Sequence, residues 1–425
     1  MRAHPGPVHT IGRWGQCSVW TSWQLDLKAP LNMRYSPLTD RLQGLGGDKW
    51  AIHTLARQMK REGRDVIELT IGEPDVPCQP DLVQAATAAM VAGRTGYSNG
   101  RGEPATLAAL AQRYTARRGR AFGPENAMTL PGTQTALYAV LCTLLGPGDE
   151  VIVADPMYAT YEGLIAATGA RAVPVTLRPE QGFRLQAADV ATHITPRTRV
   201  LFLNTPHNPT GAVLRTAEIA ALGALALAHD LWVVSDEVYE DLVFDGVAFT
   251  SPLDLPELAD RTVVTASISK SHAAPGFRSG WCIGPAEFCS RMLPLSETLL
   301  FGSQPFIADM TTQAITQGSP VARGMATRFA ARAQTVHDRL HGHAGLSVHR
   351  PEAGMFALLD VRSSGLSGNA FAHALLMQTG VACMPGESFG AGLAGWLRLS
   401  LTQADTAIEA ACARIAHFAA EGQQP

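Results

Sequence analysis

The chain has 425 residues, 46% of them apolar, and 34 Lys and Arg against 37 Asp and Glu give a formal charge of -3. That length supports a large core and more than one domain, while the composition fits neither a disordered nor a fibrous chain. The charge leaves no basic excess for a phosphate backbone, no stretch reaches 18 uninterrupted apolar residues, and the seven cysteines form no CxxC pair and no His/Cys cluster at metal spacing. Nucleic acid, membrane insertion and a metal centre are not expected, and free thiols fit a reducing compartment, the cytoplasm.

Residues 1–32 carry Pro5, Pro7, Pro30 and three tryptophans without a helical or alternating period, and they lack the apolar centre of a signal peptide. With Met33 beside the start of more ordinary sequence, they read as a disordered extension or as a segment added by start-codon choice. From 48 to 62, Trp50, Ile52, Leu55, Ala56 and Met59 recur at three and four, the period of an amphipathic helix. Residues 65–71 read as a strand. From Pro80 onward, helical stretches alternate with short apolar strands at 151–153, 170–176, 200–203, 231–234 and 262–266, which predicts a mainly parallel, doubly wound sheet. A long helical run over 306–341 then reads as a connector. Strands at 353–361, 381–384 and 396–399, with helices at 368–378 and 403–419, predict a smaller α+β domain, and residues 421–425 read as frayed.

Ser267-Ile-Ser-Lys270 stands at the end of the 262–266 strand, with Arg278 eight residues on. A lysine so placed can condense with an aldehyde while Ser267 and Arg278 hold a phosphate, which is chemistry for pyridoxal phosphate. A lysine is by default a solvated surface charge, so its companions decide. Asn208-Pro-Thr-Gly211 follows the 200–203 strand, and Ser235-Asp236-Glu-Val-Tyr239 follows the 231–234 strand. Alone, the first is a turn and Asp236 is a helix cap. Together the three strands aim at the crevice beyond their carboxyl ends, where ligands of open α/β sheets bind.

Asp236 is then the partner that keeps the cofactor's ring nitrogen protonated, and Asn208 and Tyr239 carry donors for its ring oxygen. Pro131-Gly-Thr133-Gln134-Thr135 precedes a helical run at 136–145, a helix N-terminus where a phosphate binds well. Tyr158 sits at the end of the 151–153 strand, where a flat ring can stack on the cofactor, and Tyr161 one turn later reads as core. Arg398 lies among apolar neighbours in Trp396-Leu-Arg-Leu-Ser400. It is either an edge arginine or a bidentate grip for a substrate carboxylate.

From about Met33 to the C-terminus, these motifs resemble the class I and II aminotransferases of pyridoxal-phosphate fold type I, the aspartate aminotransferase superfamily. The resemblance implies an α/β fold in which a large domain (76–313), with a mainly parallel sheet flanked by helices, is joined to a small α+β domain (33–75 and 314–425). It implies pyridoxal 5'-phosphate attached through Lys270, which also shuttles the proton, with Asp236 on the ring nitrogen and Asn208 and Tyr239 on the ring oxygen. Tyr158 would stack on the ring, Thr133, Gln134, Ser267 and Arg278 would cradle the phosphate, and Arg398 would hold the α-carboxylate. Gly72, in Gly-Glu-Pro-Asp75, would contact substrate through its backbone, and Tyr97 would reach the neighbouring subunit's phosphate, which implies a homodimer with shared sites.

Gly354-Met-Phe356 and Pro385-Gly-Glu-Ser-Phe-Gly390 resemble small-domain segments of the same superfamily. Ser-Lys270-Ser-His272 and the start at Asp48 are similar to bacterial arginine:pyruvate or broad-range aminotransferases, although Ala274-Pro275 departs from the commoner loop. The implied reaction moves the amino group of an L-amino acid to pyruvate or 2-oxoglutarate by a ping-pong sequence. Elimination from a sulfur amino acid, or oxidative amino-acid chemistry, would use the same cofactor shell. A sensor that binds the cofactor without turnover is disfavoured, because the proline-rich N-terminus is too short for a DNA-binding domain.

Overall fold

The computed structural model describes residues 34–45 and 47–421. The expected extension over 1–32 and the tail beyond 421 lie outside the described residues. Residues 38–421 are built on twelve strands in two sheets. In chain order these are β1 (Ile67–Leu69), β2 (Ala127–Leu130), β3 (Glu150–Asp155), β4 (Arg171–Thr176), β5 (Thr198–Asn204) and β6 (Trp232–Asp236). They continue with β7 (Thr262–Ser267), β8 (Gly280–Ile283), β9 (Ser347–His349), β10 (Phe356–Asp360), β11 (Val381–Pro385) and β12 (Trp396–Ser400). The seven-stranded sheet runs β2-β8-β7-β6-β5-β3-β4 and is parallel except for β8, which is antiparallel to both its neighbours. The five-stranded sheet runs β1-β11-β12-β10-β9, with β1 and β11 parallel and the rest antiparallel.

The central strands of the large sheet are covered on both faces, so Val200-Leu-Phe-Leu203 and Val233-Val234 are buried at consecutive positions. This is why they read as unbroken apolar runs rather than as an alternation. One covering helix, Thr133–Leu144, buries Ala136, Leu137, Val140 and Leu141 against that sheet. Against the small sheet, the Ala51–Arg61 helix buries Ile52, Ala56 and Met59. No helix among the described residues is long and apolar enough to cross a membrane.

Two expectations need correction. The run predicted as one helix over 306–341 is two, Pro305–Gln317 and Ala322–Leu340. Gly318 adopts a left-handed φ of 72°, and Pro320, two residues on, offers no N–H to continue the ladder. Apolar residues keep helical spacing on both sides of the break, so periodicity alone does not reveal it. Strands β2, β8 and β9 were also unforeseen, being three or four residues long.

Candidate active site

The loops that leave β2, β3, β5, β6 and β7 at their carboxyl ends open into one cavity of about 240 Å³. It takes in eleven of the twelve residues singled out from sequence: Gly72, Thr133, Gln134, Tyr158, Asn208, Asp236, Tyr239, Ser267, Lys270, Arg278 and Arg398. The twelfth, Tyr97, is elsewhere. The residue is 89% exposed, and its ring meets that of Phe301 edge-on, 5.0 Å between centroids.

Lys270 lies in a single helical turn, Ile268–Ser271, capped by Ser267 Oγ, which accepts from the Ser269 N–H. Its Nζ donates to the Gly72 carbonyl at 2.7 Å. Burial lowers the ammonium to about 8; Glu73 opposes that shift, while Arg398 and Arg278 add to it. Roughly a tenth of the amine is therefore neutral at pH 7, far more than for an exposed lysine.

Asp236, 4% exposed at the end of β6, accepts from Tyr161 Oη at 2.6 Å and from the Val238 N–H at 3.1 Å. Burial raises its carboxyl to about 6 despite both donors, so among these residues it lacks the cation that would fully stabilise its charge. Its backbone carbonyl accepts from the Thr205 N–H and Asn204 Nδ2, both at 3.1 Å, which ties β6 to the loop carrying Asn208.

Arg398 on β12 is 1% exposed. It donates to Asn208 Oδ1 at 3.0 Å and to the Thr70 carbonyl at 2.7 Å, between the rings of Phe356 and Phe389, whose centroids are 3.8 and 4.3 Å from its Cζ. Its Nε is buried without a partner, and among the described residues it forms no ion pair. Burial lowers the guanidinium to about 10, which leaves it charged at neutral pH. The edge or surface reading is thus overturned: this is a buried cation surrounded by neutral acceptors. Tyr239, also buried, is pushed above the usual phenol range by burial and by Tyr158, with the Asn208 side chain acting in the opposite direction.

On the opposite wall, Arg278 stands exposed in a left-handed conformation, φ 52°, and donates to the carbonyls of Pro275 at 2.9 Å and Pro131 at 3.4 Å. Gly132, φ 85°, lets it lie across the helix start, where a Cβ would come within 2.2 Å of the guanidinium. Thr133 Oγ1, at the first helical position, is buried without a partner.

Nine lining residues lie outside the predicted set, and three of them, Trp50, Tyr161 and Phe356, are aromatic. Tyr161 reads from sequence as core, and it is core, but its hydroxyl serves Asp236; it opens the helix that follows the Tyr158 loop, and its ring meets the Tyr158 ring edge-on at 5.5 Å. Trp50, read as part of an apolar helix face, lines the cavity, and Phe356 stacks on Arg398.

A fold of this kind, with a half-buried lysine and a buried carboxylate lining one cavity and a buried arginine without an ion pair on a second sheet, defines a class. The chain belongs to the class I and II aminotransferases, whose family model matches residues 64–415. It is 46% identical over 389 residues to the arginine–pyruvate transaminase of Pseudomonas aeruginosa, covering 92% of this chain and 99% of that one. It is 32% identical over 368 residues to the aspartate/prephenate aminotransferase of Thermus thermophilus, covering 86% and 94%. The structure of the aspartate aminotransferase from Rhizobium meliloti superposes with a TM-score of 0.86 at 27% identity, covering 91% of this chain and 99% of that one. The protein is an aminotransferase of fold type I that moves an amino group to a 2-oxo acid with pyridoxal phosphate.

The residues present fit that cofactor. The orphaned Thr133 hydroxyl, the free N–H groups of the helix it opens and the Arg278 guanidinium form a cradle for a dianion. The carboxylate of Asp236 lies at the base of the same cavity.

Proposed function

We propose that this chain carries out a ping-pong transamination through Lys270, the donor leaving as a 2-oxo acid before pyruvate or 2-oxoglutarate enters. When bound, the cofactor supplies an electron sink for the bond broken at the substrate's α-carbon. Lys270 attaches it and, once released, carries the proton between substrate positions, with Gly72 O holding the amine in line. Asp236, oriented by Tyr161, fixes the protonated ring nitrogen. Asn208 and Tyr239 hold the ring oxygen, Tyr158 covers the ring, and Thr133, Gln134, Ser267 and Arg278 hold the phosphate. Arg398 takes the α-carboxylate of donor and acceptor alike, which suits a reaction whose two substrates share only that group.

The observation that carries this reading is the convergence of the Lys270 amine, the Asp236 carboxylate and the unpaired Arg398 guanidinium on one cavity. The active form is a homodimer in which Tyr97 reaches the partner subunit's phosphate site; the exposure of Tyr97 (89%) beside the exposed Phe301 supports this. The six cysteines among the described residues are all free thiols, which supports a cytoplasmic setting. Similarity to the Pseudomonas enzyme favours arginine as donor.

The test is a panel of the twenty amino acids against pyruvate and 2-oxoglutarate. Stoichiometric oxo-acid release in a first half-reaction without acceptor, with arginine and pyruvate among the best pairs, is the expected result. Turnover that yields ammonia or hydrogen sulfide instead would contradict it.

A further inference from the structure

Residues 70–79 connect β1 to the Pro80–Val91 helix without entering a helix or strand, yet they carry two carbonyls on which the site depends. The Thr70 carbonyl accepts from Arg398 and the Gly72 carbonyl from Lys270, each at 2.7 Å. A segment outside the sheet ladder needs another anchor to hold two acceptors in register.

That anchor is Asp75. Arg328 grips it bidentately, Nε to Oδ2 at 2.9 Å and Nη2 to Oδ1 at 2.8 Å, and Arg332 adds Nη1 to Oδ2 at 2.8 Å. Both arginines stand on the Ala322–Leu340 helix, one turn apart. Arg332 also donates to Asp405 Oδ1 at 2.6 Å and to the Leu401 carbonyl at 2.9 Å, immediately beyond β12 and Arg398. The side chains of Asp75 and Arg332 are each only 8% exposed. Burial pushes the Asp75 carboxyl up, but hydrogen bonds from Arg328 and Arg332 overcome that push and hold it below the usual range, so the clamp is ionised. Between clamp and site the chain has little slack: Pro74 fixes one φ, and a Cβ on Gly72 would come within 2.3 Å of Phe356 Cζ.

We propose that Asp75, clamped by Arg328 and Arg332, is a positioning residue that sets the Gly72 and Thr70 carbonyls and, through them, the alignment of Lys270 and Arg398. Two guanidinium groups on one carboxylate fix direction as well as distance. Misplacing a reacting group by about 1 Å through a remote change costs on the order of a hundredfold in rate. The inference rests on the reading of Lys270 as the reactive lysine.

The experiment compares wild-type, Asp75→Asn and Arg328→Gln holoenzymes by the pH midpoint of the bound cofactor's absorption band, by kcat and KM per occupied site, and by thermal unfolding. Asp75→Asn should lower kcat by about tenfold to a hundredfold, raise KM for the donor and shift the absorption midpoint by about half a pH unit or more. Arg328 is 39% exposed and, among the described residues, hydrogen-bonds to Asp75 and to no other side chain, so Arg328→Gln should show the same changes at about threefold in kcat with little loss of thermal midpoint. If Asp75→Asn fails to fold, Arg328→Gln decides. Normal kcat and an unshifted band in Arg328→Gln would overturn the proposal, as would a loss confined to stability and cofactor occupancy. If borohydride fails to fix the cofactor to Lys270 in the wild type, the underlying reading fails first, before either variant is compared.

Discussion

Arg398 and Arg278 face the same cavity from the small-sheet and large-sheet walls, one 1% exposed between two phenylalanine rings and the other exposed at a left-handed turn. Their partners inside the chain are alike, since both donate to neutral acceptors. Their settings are opposite. A buried guanidinium without a counter-ion carries a desolvation cost that an incoming carboxylate offsets, so Arg398 is poised to take an anion. An exposed guanidinium is screened by water and contributes mainly by adding to other donors, here the helix start at Thr133. On the proposed reading, the selective cation is the hidden one, whereas the cradle divides its work among several groups.

The largest effect follows from that contrast. Replacing Arg398 by leucine should lower kcat/KM for every amino donor by at least about thirtyfold, the lower end for a desolvated charge pair. A loss under threefold, measured on the best donor, would erase the distinction between the two walls. Asp236 sharpens the comparison as a buried charge of opposite sign. Because its folded-state value of about 6 is raised, the stability it contributes is present below the unfolded carboxyl value of about 4 and lost as pH rises through 6. Cofactor-free wild type should therefore lose up to about 3 kcal/mol relative to Asp236→Asn across that interval, measured by urea unfolding. Parallel pH profiles would contradict the assigned burial.

Arg278→Gln should weaken cofactor retention by about tenfold, the contribution of one hydrogen bond to a charged group, read from dialysis or spectroscopic titration. An effect as large as that of Arg398→Leu would show that exposure is a poor guide. The smallest change expected is in Tyr161→Phe. Removing the 2.6 Å donor lets the Asp236 carboxyl rise further, so the acidic limb of the kcat/KM profile should move to higher pH with a loss of about threefold at the optimum.

Much of the site was legible because its residues sit at strand ends amid Gly, Pro, Asn and Asp, where the sequence changes period sharply. Lys270, Asp236 and Asn208 leave three neighbouring parallel strands, so finding the strands aligns the residues. Tyr161 escaped because a core tyrosine and a hydroxyl donor to a buried carboxylate carry the same local pattern. The break at Gly318 escaped because the apolar spacing resumes beyond it, and the Asp75 clamp because its arginines lie some 250 positions downstream. Arg398 shows the limit most clearly: its strand was readable, but its burial depends on Phe356 and Phe389 from other segments.

Only four lysines occur in the chain, at 28, 49, 60 and 270, which makes the central claim directly measurable. Holoenzyme reduced with borohydride, digested and mapped by mass should carry the cofactor on the Lys270 peptide at one per chain. Lys270→Ala should lose both that label and turnover, the latter by several orders of magnitude. Label on Lys49 or Lys60, or turnover retained in the variant, would contradict the account.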